Sequence, residues 1–271
     1  KQNSEVILTG SERMQQRPIG ILVEALRDLE ADISYEENEG YPPVRIKGKA
    51  ITKNNVQING NVSSQYISSL ILMGTHLAKG VTIELMGKIT SIPYINMTLS
   101  LLNQLGISTH FEGNIIQVLP AKQLQKQTVV VESDWSSASY FYAVAAFSEV
   151  GSEIQLSAYK KESLQGDSCL AEIYTHFGVE TVFDQNTITL KKVSASEAGL
   201  LTLDLKNAPD IAQTIAVTCF GLGVTCHLTG LHTLKIKETD RLEALEAELK
   251  KLGASISITN ESLSLSTSEV M

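Results

Sequence analysis

The densest group of residues able to do chemistry lies in the stretch Lys-Glu-Thr-Asp-Arg, residues 237–241. Lys237 and Arg241 are four residues apart, and Glu238 and Arg241 are three apart, so their side chains can share one side of a helix's first turn. Backbone N–H groups at a helix start favour an anion, and two cations there strengthen that preference. We therefore predict an anion site with a carboxylate beside it. The alternative interpretation is a solvated helix start that carries one ion pair.

The elements around this stretch explain how it is positioned. Residues 234–237 form a short β-like run, and Thr239 or Asp240 can cap the helix that follows. Leucines then recur at helical spacing until Gly253 offers a C-terminal stop. We expect an extended segment that passes directly into an amphipathic helix.

That helix belongs to an internal repeat of about seventy residues. Its end is marked by a residue that recurs at intervals of 76, 72 and 75 positions, at Glu30, Gly106, Gly178 and Gly253. A second, more apolar helix begins at Ser63, Ser136 and Pro209, each 73 residues from the next. With the strand-like runs between them, the pattern predicts βαβαββ units, in which the apolar helices are enclosed by their own domain. We expect two similar α/β domains: residues 1–128, with about one and a half units, and residues 129–271, with about two.

The repeat register also places the polar residues. Ser63, Ser64, Gln65 and Asp210 fall at the start of the apolar helix, whereas Arg17, Ser91, Tyr94 and the Lys237 group fall near the start of the amphipathic helix. Helix starts that face one space would form a receptor for phosphate and carboxylate groups. Capping serines, a surface arginine, an acidic first-turn Asp210 and a packing role for Tyr94 are the alternative interpretations.

Composition limits the function classes. The chain has 271 residues, 43% of them hydrophobic, and a net charge of −8, which argues against nucleic acid or an anionic membrane as a partner. No apolar run reaches membrane-spanning length. The cysteines at 169, 219 and 226 show no metal-ligand spacing, so we assign no metal and expect reduced thiols in the cytoplasm.

Several ordered motifs resemble those of the EPSP synthase (3-phosphoshikimate 1-carboxyvinyltransferase) family, from about residue 6 to residue 266. The segments that carry the resemblance are Gln-Arg-Pro-Ile-Gly at 16–20, Tyr-Pro-Pro at 41–43, Val-Ser-Ser-Gln at 62–65, Ser-Ile-Pro-Tyr at 91–94, Asp-Trp-Ser-Ser-Ala-Ser-Tyr at 134–140, Leu-Gln-Gly-Asp at 164–167, Pro-Asp at 209–210 and Lys-Glu-Thr-Asp-Arg at 237–241. The resemblance implies an inside-out α/β barrel fold of two similar domains, each of three βαβαββ units, that close around the substrates.

The resemblance also implies the chemistry, which is transfer of the enolpyruvyl group of phosphoenolpyruvate to the 5-hydroxyl of shikimate 3-phosphate without a cofactor. Arg17, Gln65 and Arg241 would bind phosphoenolpyruvate. Asp210 would accept the hydroxyl proton, Lys237 would bind and polarise, and Glu238 would manage the proton at the methylene carbon. Shikimate 3-phosphate would be bound by Ser63, Ser64, Gln65, Ser91, Tyr94, Asp210 and Lys237.

The chain departs from the family pattern in two respects. Thr233 stands where the family usually has Asn, and motifs that the family carries near both of its ends are absent. We therefore expect the central part of a longer enzyme, inactive alone. We also expect the protein to be a monomer. UDP-N-acetylglucosamine enolpyruvyltransferase, with the same fold and donor, and a non-catalytic repeat-built interaction protein stay open as alternatives.

Overall fold

Two stretches of the chain fold in the order βαβαββ, and two shorter stretches repeat part of that order. The computed structural model describes residues 4–122, 124, 126–196, 199–237 and 239–266. Its two compact units are Lys1–Thr128 and Val129–Met271. Each contains one partial and one complete repeat, and each is described separately below.

The first repeat is a three-stranded antiparallel sheet with two helices. Its strands are ordered β1-β3-β2. The elements are β1 (Glu5–Leu8), α1 (Glu12–Gln15), α2 (Gly20–Asp28), β2 (Asp32–Tyr35) and β3 (Val44–Lys47).

The second repeat is a complete βαβαββ unit. Its elements are β4 (Asn55–Asn59), α3 (Ser64–Gly74), β5 (Val81–Met86), α4 (Ile92–Gln104), β6 (Thr109–Glu112) and β7 (Ile115–Val118). The sheet order is β4-β5-β7-β6, in which β4 and β5 are parallel and the other pairs antiparallel. Val81, Ile83 and Leu85 alternate toward the core of this unit, as the two-residue period of a strand requires.

The third repeat begins at a helix and has no opening strand among its described residues. Its elements are α5 (Trp135–Phe147), β8 (Glu153–Ser157), a 3-10 helix (Gly166–Cys169), α6 (Leu170–Ile173), a second 3-10 helix (Tyr174–Phe177), β9 (Val179–Asp184) and β10 (Thr187–Lys192). The sheet order is β8-β10-β9, and every pair is antiparallel. Trp135, Tyr142, Tyr174 and Phe177 form an aromatic core beneath it.

The fourth repeat is again a complete unit. Its elements are β11 (Leu200–Asp204), a 3-10 helix (Pro209–Ile211), α7 (Ala212–Gly221), β12 (Thr225–Thr229), a 3-10 helix (His232–Ile236), α8 (Arg241–Lys251), β13 (Ser255–Ile258) and β14 (Ser262–Ser266). The sheet order is β11-β12-β14-β13, with β11 and β12 parallel. The repeated βαβαββ architecture predicted from the sequence is therefore confirmed.

The four repeat-end markers share one backbone conformation. Glu30, Gly106, Gly178 and Gly253 all have positive φ, between 71° and 89°. A left-handed residue at this position ends a helix and turns the chain into the following strand. At Gly178 a side chain would also collide, because an added Cβ would lie 2.1 Å from the Ser194 carbonyl oxygen.

Two local predictions are wrong. Residues 234–237 were expected to be β-like, but His232–Ile236 is a 3-10 helix. Gly230, at φ 78°, ends β12, and Leu231 and Leu234 are then buried three residues apart, the period of a 3-10 helix.

The second correction concerns α5, which was expected to be enclosed. Its apolar residues surround the helix, but one side stays open, with Tyr140, Phe141, Val144 and Phe147 between 46% and 69% exposed. The described residues of this chain cover only the opposite side of the helix.

No helix among the described residues is both long enough and apolar enough to cross a membrane.

Candidate functional site

The complete repeats each carry predicted site residues where a helix begins after a parallel strand. In an open α/β sheet, the carboxyl ends of parallel strands are the usual place for a ligand. In the second repeat, α3 and α4 begin soon after β4 and β5 end. In the fourth repeat, the helical segments that begin at Pro209 and Arg241 follow β11 and β12.

In the second repeat, Ser63 is the N-cap of α3. Its Oγ accepts a hydrogen bond from the Gln65 backbone N–H at 3.4 Å. Ser64 is half-buried and Gln65 is exposed, so this helix start offers backbone N–H groups, hydroxyls and an amide to a ligand.

Ser91 precedes α4 in a strained conformation. Its backbone is left-handed, with φ 54° and ψ 33°, and its side chain makes no capping hydrogen bond. It is only 7% exposed, and Thr90 beside it is fixed by a hydrogen bond from its N–H to the Gly60 carbonyl at 3.0 Å. Such strain in a residue other than glycine costs about 1–3 kcal/mol and is typical of ligand-binding positions.

The first turn of α4 is tied to α3 through hydroxyl groups. The half-buried Tyr94 lies three residues after Ser91, and its N–H donates to the Ser91 carbonyl at 3.1 Å. Thr98 Oγ1 donates to the Tyr94 carbonyl at 3.1 Å and lies 2.9 Å from Ser68 Oγ on α3. The two helix starts of this repeat are therefore held in a fixed relation.

Arg17 lies in the bend between α1 and α2, three residues before α2 begins. Its backbone N–H donates to the Met14 carbonyl at 3.1 Å. The next residue, Pro18, accepts a hydrogen bond at its carbonyl from the hydroxyl of Tyr66, on α3. The structure thus brings the Arg17 segment to the first turn of α3.

The fourth repeat holds an ionic cluster. Arg241 Nη1 donates to Asp210 Oδ1 at 2.9 Å, and Lys237 Nζ lies 3.1 Å from the same oxygen and 3.3 Å from Asp210 Oδ2. The three side chains are 25–29% exposed, so the cluster is open to a ligand. Two cations therefore contact the same carboxylate.

Local capping explains the position of Arg241. Asp240 is the N-cap of α8, and its Oδ1 accepts hydrogen bonds from the N–H groups of Leu242 and Glu243, both at 3.1 Å. Arg241 is consequently the first helical residue. Its guanidinium adds positive charge to a helix start that already favours an anion.

No role was predicted from the sequence for two further polar residues of this repeat. Thr233 is 6% exposed, and its Oγ1 has no hydrogen-bond partner among the described residues. The same holds for Oε1 of Gln213, three positions after Asp210. Glu238 lies outside the described residues, so its predicted role has no geometry here.

Among the described residues, no three His, Cys, Asp or Glu side chains gather as a metal site.

The matching family model and the curated relatives carry the same enzyme name. The sequence model of one family, described as EPSP synthase (3-phosphoshikimate 1-carboxyvinyltransferase), matches residues 1–271. A curated 3-phosphoshikimate 1-carboxyvinyltransferase of Bacteroides fragilis is 46% identical over 256 residues, which is 94% of this chain and 62% of the relative. One from Colwellia psychrerythraea is 39% identical over 254 residues, which is 93% of this chain and 58% of the relative.

Solved structures support the fold. The structure of EPSP synthase from Acinetobacter baumannii superposes with a TM-score of 0.75 and 22% identity, over 98% of this chain and 60% of that one. The present chain spans about 60% of the length of the curated relatives it matches.

Proposed function

The chain belongs to the EPSP synthase family, and we propose that the protein containing it transfers the enolpyruvyl group of phosphoenolpyruvate to the 5-hydroxyl of shikimate 3-phosphate. The new bond joins the acceptor oxygen to the donor's C2, and inorganic phosphate leaves. The activity is proposed for the whole protein, because this chain corresponds to 62% of the Bacteroides fragilis relative.

The observation that carries the proposal is the carboxylate of Asp210 held between Lys237 and Arg241. Transfer from an anionic donor to a hydroxyl needs a base for the hydroxyl proton and cations for the donor's charge. Asp210 is the proposed base. Lys237 binds the acceptor hydroxyl and polarises the reacting groups, and Arg241 binds phosphoenolpyruvate, whose carboxylate and phosphate both match a guanidinium fork.

The second repeat is proposed to hold the acceptor. Its helix starts offer N–H and hydroxyl donors at Ser63, Ser64 and Ser91, which suit the 3-phosphate and the ring hydroxyls. Gln65 reaches both substrates and Tyr94 contacts the acceptor. The strain at Ser91 supports this assignment, because a binding residue is a common reason to retain a left-handed serine.

Donor binding is completed by Arg17, and proton transfer at the methylene carbon of phosphoenolpyruvate is assigned to Glu238. With both anions bound, the reaction becomes effectively unimolecular. The addition step makes a tetrahedral adduct, and proton loss from its methyl group then expels phosphate and restores the double bond.

We also propose that the protein works as a monomer in the cytoplasm. The thiols of Cys169, Cys219 and Cys226 are free in the structure, as a reducing compartment requires. Light scattering on the full-length protein measures whether it is a monomer.

A phosphate-release assay on a full-length protein that contains this chain tests the activity. We expect phosphate from phosphoenolpyruvate only when shikimate 3-phosphate is present. Release with UDP-N-acetylglucosamine, or none with either acceptor, would contradict the proposal.

A further inference from the structure

Tyr66 connects two segments that the proposed function uses separately. It directly follows Ser63-Ser64-Gln65, and its backbone N–H donates to the Ser63 carbonyl at 3.0 Å. Its hydroxyl donates to the carbonyl of Pro18, 48 positions earlier, at 2.5 Å. One side chain thus joins the start of α3 to the segment that carries Arg17.

The ring of Tyr66 is anchored while its hydroxyl points out of the core. The ring packs against the apolar core of the first compact unit. The residue is half-buried, whereas Pro18 is exposed. Phenylalanine can therefore keep the packing, and water can reach the Pro18 carbonyl. The hydrogen bond consequently adds little to stability and mainly fixes position.

Arg17 lies within electrostatic range of that hydroxyl. Burial raises the pKa of Tyr66, and the positive charge of Arg17 partly opposes the rise. The backbone N–H of Arg17 donates to the carbonyl of Met14, in the last turn of a four-residue helix. A helix of this length is marginal alone, so contacts from outside it fix the bend. The Gly40 carbonyl accepts hydrogen bonds from the N–H groups of Ile19 and Gly20 at 2.8 and 3.1 Å, and the Tyr66 hydroxyl holds the Pro18 carbonyl between them and Arg17.

We infer that Tyr66 is a positioning residue, whose hydroxyl holds the Pro18 carbonyl so that the Arg17 guanidinium stays aligned with the donor anion beside the start of α3. This rests on the proposed function, in which Arg17 binds phosphoenolpyruvate. Tyr66 itself touches neither substrate. It sets donor affinity through Arg17 and leaves acceptor affinity unchanged.

The test is Tyr66→Phe in a full-length protein, with both substrates varied. We expect the KM for phosphoenolpyruvate to rise about fivefold to tenfold, the effect of one hydrogen bond. The KM for shikimate 3-phosphate and the melting temperature should hardly change. Tyr142→Phe is the matched control, because it also removes a bonded hydroxyl, 2.7 Å from Thr181 Oγ1, but in the second compact unit. Both KM values should stay unchanged there.

A double-mutant cycle tests whether Tyr66 acts through Arg17. In an Arg17→Ala background, Tyr66→Phe should have no further effect on the KM for phosphoenolpyruvate. The same factor in both backgrounds, or an equal rise in both KM values, would overturn the inference.

Hydrogen exchange separates a failure of this inference from a failure of the proposed function. An inactive wild-type protein would refute the function, but Tyr66→Phe should still speed amide exchange in residues 14–20. Unchanged exchange there would overturn the positioning role, with or without activity.

Discussion

The second and fourth repeats have the same four strands and two α-helices in the same order, but they differ in the groups at the helix starts. The second repeat places neutral donors there, with Ser63 as a cap and Ser91 in a left-handed turn. The fourth repeat places charges there, with Asp210 between Lys237 and Arg241. The shared topology fixes where a ligand can bind, and the side chains decide its chemistry.

The two repeats also hold their site residues by different means. Ser91 is nearly buried and strained, so surrounding packing holds it in place. The Asp210 cluster is more than a quarter exposed on average, and exposed ion pairs contribute about 0–1 kcal/mol each. Stability therefore does not explain why two cations contact one carboxylate. Binding of an anionic ligand does explain it.

The largest expected effect comes from Asp210→Asn, which keeps the shape of the side chain but removes the proposed base. We predict that kcat falls about 10²–10⁴-fold, the usual contribution of a general base. Steady-state kinetics on the full-length protein measure it. Glu246→Gln, which alters an exposed carboxylate on α8 paired with Lys250, is the control. A kcat within tenfold of wild type would remove Asp210 from the mechanism.

The next largest effect concerns Arg241 of the fourth repeat. Arg241→Lys keeps the charge but loses the guanidinium fork, so the KM for phosphoenolpyruvate should rise about 10- to 100-fold, the range of charge-assisted hydrogen bonds. An unchanged value would mean that Arg241 serves only to pair with Asp210.

A smaller effect tests the capping role of Ser63 in the second repeat. Ser63→Ala removes the N-cap of α3 and should lower the free energy of unfolding by about 1 kcal/mol, measured by urea denaturation. Ser69→Ala on the same helix, where the hydroxyl only donates to the Gln65 carbonyl, should cost less. No loss of stability in Ser63→Ala would show that the Ser63 cap adds nothing.

The smallest effect tests whether the left-handed backbone of Ser91 costs stability. Ser91→Gly should stabilise the fold by up to about 1 kcal/mol, because glycine adopts positive φ without strain. Ser91→Ala keeps the strain and should not stabilise. If glycine destabilises as much as alanine, the left-handed conformation carries no cost.

Much of the fold could be predicted because it repeats. The markers at Glu30, Gly106, Gly178 and Gly253 revealed the period, and all four are left-handed helix ends. The 3-10 helix before Lys237 was missed because a short apolar run does not distinguish strand from helix. The open side of α5 was missed because apolar composition reports a preference for burial, not whether a partner covers the helix.

The site could be predicted only where its residues are close in sequence. The spacing of Lys237 and Arg241 indicated that they share a side, but their contact with Asp210, 27 and 31 positions away, depends on the fold. Tyr66 was missed for the same reason, since its partner Pro18 lies 48 positions away and a tyrosine after Gln65 carries no distinct signal.

The central claim is a division of labour, in which the serines of the second repeat bind the acceptor and Arg241 of the fourth binds the donor. Calorimetric titration of shikimate 3-phosphate into the full-length protein tests it most directly, with Ser63→Ala and Arg241→Lys as variants. We predict that Ser63→Ala weakens acceptor binding about tenfold, as the loss of a hydrogen bond to a charged group does, and that Arg241→Lys leaves it within about twofold. Equal weakening by both variants, or weakening by Arg241→Lys alone, would contradict the account.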